Sequence, residues 1–490
     1  MNCIEQLRQL IQELCCVFDE RKGCNIKDVI LDTTTERILK SFVSVDELNS
    51  YGVLRFRILS NIIINKQPQL DRIGIFILTF NDNNIQLLKK HLHDKMYWKE
   101  SIIFTQTGVL NENIIMELNI ADSYNVINNI ECVDINWKYV TPRSFISASN
   151  DIDSLTSFIQ AHDINPIIIT QTSCCQTRTL AIDLKKKFNK KEGEPCILLL
   201  LDRSIDGYTP LYISKSIYSL FNEVYGINDS FVNFPQHENK VFQFDFADPF
   251  INSNYDTLPE EFINNYLQKL QACPPSQVIR QAIEEMILNP SKETTTKELF
   301  NINNFSKRVS TQEQISKIIP IITDAKDEFN KKYSLEEFKC QQYFHINQKT
   351  PREMNQNLSL MMTLYKQKID DNNSNILSKR INMKCGITHQ IFPLFQSNPL
   401  FNDNEFHPLI TRIIAEKKMI FNKSFELILG TINEDFNSNK MIIWINGGFT
   451  PFEEIELHKT LLKMKSSTEV ILGGSQLLNT ELYYQWLSNE

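Results

Sequence analysis

Three continuous apolar runs stand out in the first part of the chain: KDVILD (27–32), IGIFILTF (73–80) and SIIFTQ (101–106). Runs of this length without alternation suit strands buried on both faces of a parallel sheet. The segments between and after them, SVDELNSYGV, NNIQLLKKHLH and NENIIMELNIADSYNVINNI, space their apolar residues as helices do. Ser44 and Glu47 have the spacing of a capping box. Strand and helix in alternation predict a parallel sheet with helices on its faces, over about residues 25–130. Ahead of it, MNCIEQLRQLIQELCCVF carries acids inside a helical pattern. It reads as an amphipathic helix rather than a signal or transit peptide.

The pattern then restarts. DSLTSFIQAH and TRTLAIDLKKKFNK read as helices, and NPIIITQ and ILLLLD as strands. Near the end of the sequence, KMIIWINGG (440–448) and STEVILGGS (467–475) are two more buried strands, with the helix EEIELHKTLLKMK between them. That order is a parallel βαβ unit. Two strands make no sheet of their own, so they are expected in the sheet of the second α/β domain. From about 236 to 400 the spacing is helical, in LPEEFINNYLQKLQ, SQVIRQAIEEMI, EQISKIIPIITDAKDEFNKKY and NQNLSLMMTLYKQKI, with few strand signals. The expected fold class is α/β: two parallel-sheet α/β domains with a mostly helical domain inserted into the second. The divisions fall at residues 1–130, 131–235, 236–400 and 401–490, the second and last forming one domain.

Composition narrows the function. At 490 residues, two to four domains are expected. A net charge of -8 argues against nucleic acid as a partner, because phosphate backbones call for clustered lysine and arginine. No apolar run approaches the roughly 20 residues of a membrane span. Eleven cysteines without a C-x-x-C spacing read as reduced thiols of a cytosolic protein. His91 and His93 have no cysteine near them, so neither a zinc site nor any other cofactor is expected.

The most chemically loaded stretch is ILLLLDRSIDGYTPL (197–211). Asp202, Arg203 and Asp206 would sit beyond the carboxyl end of a strand, where open α/β sheets place their ligands, and two carboxylates there could hold a metal. Neither the glycine loops that cradle phosphate nor a G-x-S-x-G, H-E-x-x-H or kinase signature accompanies them. A structural role asks for less. The two acids can accept turn amides, Arg203 can pair with one of them, and Pro210 can open the next helix. Gly447, Gly448, Gly473 and Gly474 follow strands in the same way and release the chain from the sheet. In EQISKIIPIITDAKDEF, a stripe of Ile315, Ile318, Ile319, Ile322, Ala325 and Phe329 runs through Pro320. A proline there costs a continuous helix ~3 kcal/mol, so it marks a kink or a fresh helix start. The stripe is then either core or the tip of a helical hairpin.

Taken in order, these segments resemble one family. LLLLDRSIDGYTPL with IYSLFNEVYGI is similar to the strand, turn and helix of the SM (Sec/Munc-type) SNARE-binding vesicle-fusion proteins. VILDTTTERILKSFVSVDELNSYGV, EQISKIIPIITDAKDEF, INGGFTPFEEIELHK and VILGGSQLLNTELYYQWL are similar to four more of its segments, in the family's order. Gly207 and Tyr208 depart from the usual residues after the second acid, and residues 271–310 do not align. The resemblance implies a three-domain arch around a central cavity and no covalent catalysis. It implies a syntaxin-type SNARE and the assembled SNARE bundle as partners. Its short N-terminal SNARE peptide would bind on domain one, with Ile114, Leu118 and Ile127 as candidates, although all three could equally face the core. SNARE helices would meet Ile318, Ile319, Pro320 and Ile322. The branch most alike is the endosomal and trans-Golgi vacuolar-protein-sorting one. That predicts a cytoplasmic protein recruited through SNAREs to endosomal, Golgi or vacuolar membranes, without inserting into them. The alternatives are a subunit of a lysosomal tethering complex, or an enzyme of the nucleotide-sugar transferase kind that uses Asp202 and Asp206.

Overall fold

The computed structural model describes residues 26–272 apart from short internal stretches, the helix 321–330, and residues 407–416, 424–430 and 439–488. The first sheet is built from β1 (Lys27–Leu31), β2 (Val53–Ile58), β3 (Gln69–Thr79), β4 (Tyr97–Thr105) and β5 (Ile127–Val133). Its strands run parallel in the order β2-β1-β3-β4-β5. The helices α1 (Thr33–Lys40), α2 (Leu59–Ile64), α3 (Asp82–Leu92) and α4 (Glu112–Ala121) connect them. The three apolar runs are β1, β3 and β4, as their pattern predicts.

Two elements depart from that pattern. VLRFRI, within and after the predicted helix SVDELNSYGV, is strand β2. It lies at the sheet's edge, where Leu54 and Arg55 stay exposed, so it lacks the unbroken apolar run of a central strand. The second half of NENIIMELNIADSYNVINNI is also strand rather than helix. Asp122 ends α4 by accepting the amides of Tyr124 (3.3 Å), Val126 (3.0 Å) and Ile127 (2.8 Å), and Asn125 turns the chain at φ 53. An aspartate in this role competes directly with continued helix.

The second sheet holds β6 (Lys138–Thr141), β7 (Ser144–Ile146), β8 (Ile164–Gln171), β9 (Glu194–Asp202), β12 (Phe425–Leu429), β13 (Lys440–Asn446) and β14 (Glu469–Gly474), in the order β12-β8-β9-β13-β14-β7-β6. Its five inner strands are parallel and its two edge strands antiparallel to their neighbours. The two late strands therefore enter the middle of the second sheet, with Ile443 opposite Leu199 and Trp444 opposite Leu200. The helices of this unit are α5 (Ile152–Ala161), α6 (Cys175–Phe188), α7 (Ile217–Val224), α11 (Leu409–Ala415), α12 (Pro451–Lys463) and α13 (Thr480–Ser488). Helices α8 (Pro249–Asn254) and α9 (Pro259–Ala272) and the helix 321–330 (α10) complete the described set.

The stretch after 236 begins with a strand that the helical reading missed. Strands β10 (Phe231–Phe234) and β11 (Lys240–Gln243) form an antiparallel hairpin. Phe242, Phe244 and Phe246 alternate out of it and meet Tyr218 and Phe221 of α7 at ring distances of 4.9 to 6.3 Å. The period of two was present in VFQFDF, but short and flanked by charge. In α10, Ile321, Ile322, Ala325 and Phe329 are buried, which makes that part of the stripe core.

Candidate functional site

The corner after β9 comes first. Asp202 caps a 3-10 turn, Arg203–Ile205, by accepting the Ser204 amide at 3.0 Å, and its other oxygen takes the Asn446 side chain at 3.0 Å. Asp206 accepts the Thr209 amide (3.0 Å), the Thr209 hydroxyl (2.5 Å) and the Leu409 amide (3.0 Å). It thus ties the corner to the first turn of α11. Arg203 is fully buried. It donates through Nε and Nη2 to the Asp206 carbonyl, at 3.1 and 2.8 Å, and through Nη1 to the Gly448 carbonyl at 3.3 Å and to both oxygens of Glu453 at 2.9 Å. Its expected ion pair with a DRSID acid is secondary, since Asp206 lies 3.9 Å away. Its main partner is Glu453, 250 residues on. Burial works against the guanidinium's charge, but the carboxylates of Glu453 and Asp206 outweigh it and keep Arg203 protonated.

Glu453 is itself held by its sequence. It sits at the third position of α12 and closes a capping box with Thr450, whose amide reaches Oε2 at 2.8 Å. The glycines make room for this junction. Gly448 (φ 96) would put a Cβ 2.5 Å from the Gln476 carbonyl, and Gly473 would put one 2.4 Å from the Phe145 ring. Gly447 lies against Arg203 and Trp486, and Gly474 against Phe449. Pro210 is the middle residue of a second 3-10 turn, Thr209–Leu211, and does not open the next helix: α7 starts only at Ile217, capped by Ser216. Both carboxylate oxygens of Asp202 and of Asp206 are thus held by protein groups.

A second buried acid, Glu454, faces the other way. Its Oε1 accepts the Thr141 hydroxyl and the Tyr255 hydroxyl, both at 3.1 Å, and Arg143 donates to the same Tyr255 oxygen at 2.9 Å. Its Oε2 is buried without a hydrogen-bond partner among the described residues. Burial pushes this carboxyl up to about 7, opposed by Arg143 and by the two hydroxyl donors.

The surface of the first sheet carries a different feature. On α4, Met116 is 56% exposed and Ile120 82%, and Tyr124 in the turn that follows is 53% exposed. Residues four apart lie on one face of a helix, so Met116 and Ile120 share a face open to solvent, with Tyr124 exposed in the turn beyond the end of the helix. Of the peptide-site candidates, Leu118 is fully buried in the core beneath this helix. Ile114 is half-buried, and Ile127 begins β5, half-buried as well. The helical period was legible, but its phase was not. A helix this apolar offers two faces, and only packing decides which one is inward. Ile322 lies in the core, while Ile318, Ile319 and Pro320 fall outside the described residues.

Among the described residues, no group of three His, Cys, Asp or Glu side chains is placed to hold a metal, and no helix is long and apolar enough to cross a membrane. The described fold is thus two parallel-sheet units, one fastened by the buried Arg203–Glu453 pair between distant segments and the other presenting exposed Met116 and Ile120 on α4. The family comparison agrees: residues 27–272 match the Sec1 family model, and the chain belongs to that family. It is 24% identical over 232 residues to vacuolar protein sorting-associated protein 45 of Dictyostelium discoideum, a match that spans 42% of this chain and 40% of that relative's length. Among solved structures, it resembles the SM protein Vps45 in complex with the Qa SNARE Tlg2 (TM-score 0.66, 16% identity, 100% of this chain and 98% of that one). It also resembles Sly1p in complex with an N-terminal peptide of Sed5p (TM-score 0.68, 15% identity, 100% and 98%).

Proposed function

We propose that this protein is an SM-type regulator of vesicle docking and membrane fusion that binds a syntaxin-type SNARE and promotes SNARE assembly. Its site of action in this reading is the cytoplasmic face of endosomal, Golgi or vacuolar membranes, reached through the SNARE. The observation that carries the reading is the family match over residues 27–272. The relatives with the same fold, one solved with the Qa SNARE Tlg2 and another with an N-terminal peptide of Sed5p, support it. No covalent chemistry is part of this reading; the hydrogen bonds of Asp202 and Asp206 to their own turn, to Asn446 and to the Leu409 amide support a fastening role for the two acids. Retention of one syntaxin-type cytosolic domain of the source organism, in a pull-down that tests all of them singly, is the expected result. Retention of none would refute the reading.

Within it, the exposed face of α4 is the place for the SNARE's N-terminal peptide, through Met116 and Ile120, while Ile114 lies on the side of the buried Leu118. Ile120→Arg should abolish peptide binding measured by fluorescence anisotropy and leave the circular-dichroism spectrum unchanged, since Ile120 is 82% exposed. Leu118→Arg should instead unfold the first domain, because a charge would enter an apolar core. Equal peptide affinity in Ile120→Arg and the parent would remove this face of α4 from the site.

A further inference from the structure

Glu454 lies where three separate parts of the second unit meet. Thr141 and Arg143 come from the end of β6 and the turn after it, Tyr255 and Asp256 from the turn between α8 and α9, and Glu454 itself from the first turn of α12. Tyr255 is the centre of this joint. Its carbonyl accepts the Tyr218 amide of α7 at 3.1 Å, and the carbonyl of Thr257 accepts the Ile217 amide at 2.8 Å. Its ring meets those of Tyr218 and Phe246 at 5.8 and 5.3 Å. Its hydroxyl then reaches α12, donating to Glu454 Oε1 while it accepts from Arg143. Because α8 and α9 belong to the sequence inserted between β9 and β13, this hydroxyl ties the root of the insertion to the sheet's own helix.

The joint is built for a neutral carboxyl. Both hydroxyl donors, from Thr141 and Tyr255, sit on Oε1, and Oε2 is buried without a hydrogen-bond partner among the described residues. Arg143 gives its hydrogen bond to the Tyr255 oxygen. An ionised Glu454 would therefore carry charge on an oxygen that nothing solvates, which is costly in a buried site. Among its neighbours, the half-buried Arg143 would attract that charge and Asp256 would repel it. The phenols of Tyr218 and Tyr255 are pushed up by burial and by Glu454, so they stay neutral. His458, one turn along α12, faces Arg143 and Asp256; burial pushes it down to about 4, so it brings no charge near neutral pH.

We propose that Glu454 is a proton-operated latch: protonated, it holds Tyr255 against α12, and ionised, it draws in water past Arg143 so that the α8–α9 turn comes away from α12. The closed form binds the proton more tightly than the open one, so acid favours closure and alkali favours opening. Burial lifts the carboxyl to about 7, which sets the change near neutrality. The device goes beyond the SNARE-binding reading and does not depend on it. Hydrogen exchange of the full-length parent and of Glu454→Gln, each followed from pH 6 to 8, tests it. Amides of residues 249–272 should exchange faster than those of β9 and β13, since the joint opens without unfolding the sheet. In that segment the ratio of parent rate to variant rate should climb about ten-fold from pH 6 to 8, as titration near 4.5 when open and at about 7 when closed requires. Taking the ratio cancels the intrinsic effect of pH on exchange. Tyr255→Phe keeps the ring but removes the latched hydroxyl, and should speed exchange of the same segment already at pH 6. Exchange of 249–272 only as slowly as β9 and β13 would show that the joint does not open by itself, and a flat ratio would show that the opening does not sense Glu454. Either result overturns the proposal, as does unchanged exchange in Tyr255→Phe.

Discussion

Arg203→Ala is expected to cost about 3–5 kcal/mol of unfolding free energy, the range for removing one partner of a buried pair. The loss follows from what would remain. Glu453 would stay in a site with no access to water, facing the Asp206 carboxylate without the cation between them. The carbonyls of Asp206 and Gly448 would lose their donors as well. Urea denaturation of the purified protein gives the value. Arg203→Met combined with Glu453→Met should recover much of the loss, because two apolar side chains leave no unpaired charge. A full-strength fold in Arg203→Ala alone would show that the corner is not what fastens α12 to β9.

The second large effect is one of pH. Glu454 titrates near 4.5 in the unfolded chain and at about 7 when folded. A raised carboxyl stabilises the fold fully below the unfolded value, and that contribution fades as pH rises through the folded one. The span corresponds to about 3 kcal/mol, lost between pH 4.5 and roughly 7.5. Glu454→Gln keeps an acceptor for Thr141 and Tyr255 but cannot ionise. At pH 8 it should be more stable than the parent by a margin of that order, with the two converging near pH 4.5. His162 and His458, both pushed down to about 4 by burial, give the opposite slope between about 4 and 6.5. The difference between parent and variant is therefore the quantity to plot. A flat difference from pH 5 to 8 would place the Glu454 titration elsewhere.

The sequence was most legible where burial on both faces leaves an unbroken apolar run. β1, β3, β4, β8, β9, β13 and β14 all have that signature, and the place of the last two followed from their having no sheet of their own. Edge elements were harder to see. β2 carries arginines because one side of it meets solvent, and the β10–β11 hairpin shows its period over only a few phenylalanines. For the corner, the turn chemistry of Asp202 and Asp206 could be read from local spacing. Glu453 could not be assigned to Arg203, since nothing within a short window links residues 250 apart. On α4, the sequence supplied apolar residues for two faces, and the exposed one holds Met116 and Ile120 rather than Leu118.

The place of β13 between β9 and β14 has a consequence for how the protein is made. β1 to β5 are contiguous in the chain, so the first sheet can close once residue 133 has left the ribosome. The second has no such option. β8 and β9 are complete at residue 202, yet the strand that covers the inner edge of β9 begins at Lys440. For more than two hundred residues of synthesis, that edge offers open amides and carbonyls to any extended segment nearby, the situation in which chains pair wrongly or recruit chaperones. A premature stop between residues 202 and 440 would leave a folded first sheet joined to an exposed half-sheet, and so a product bound for aggregation or degradation rather than a shortened working protein.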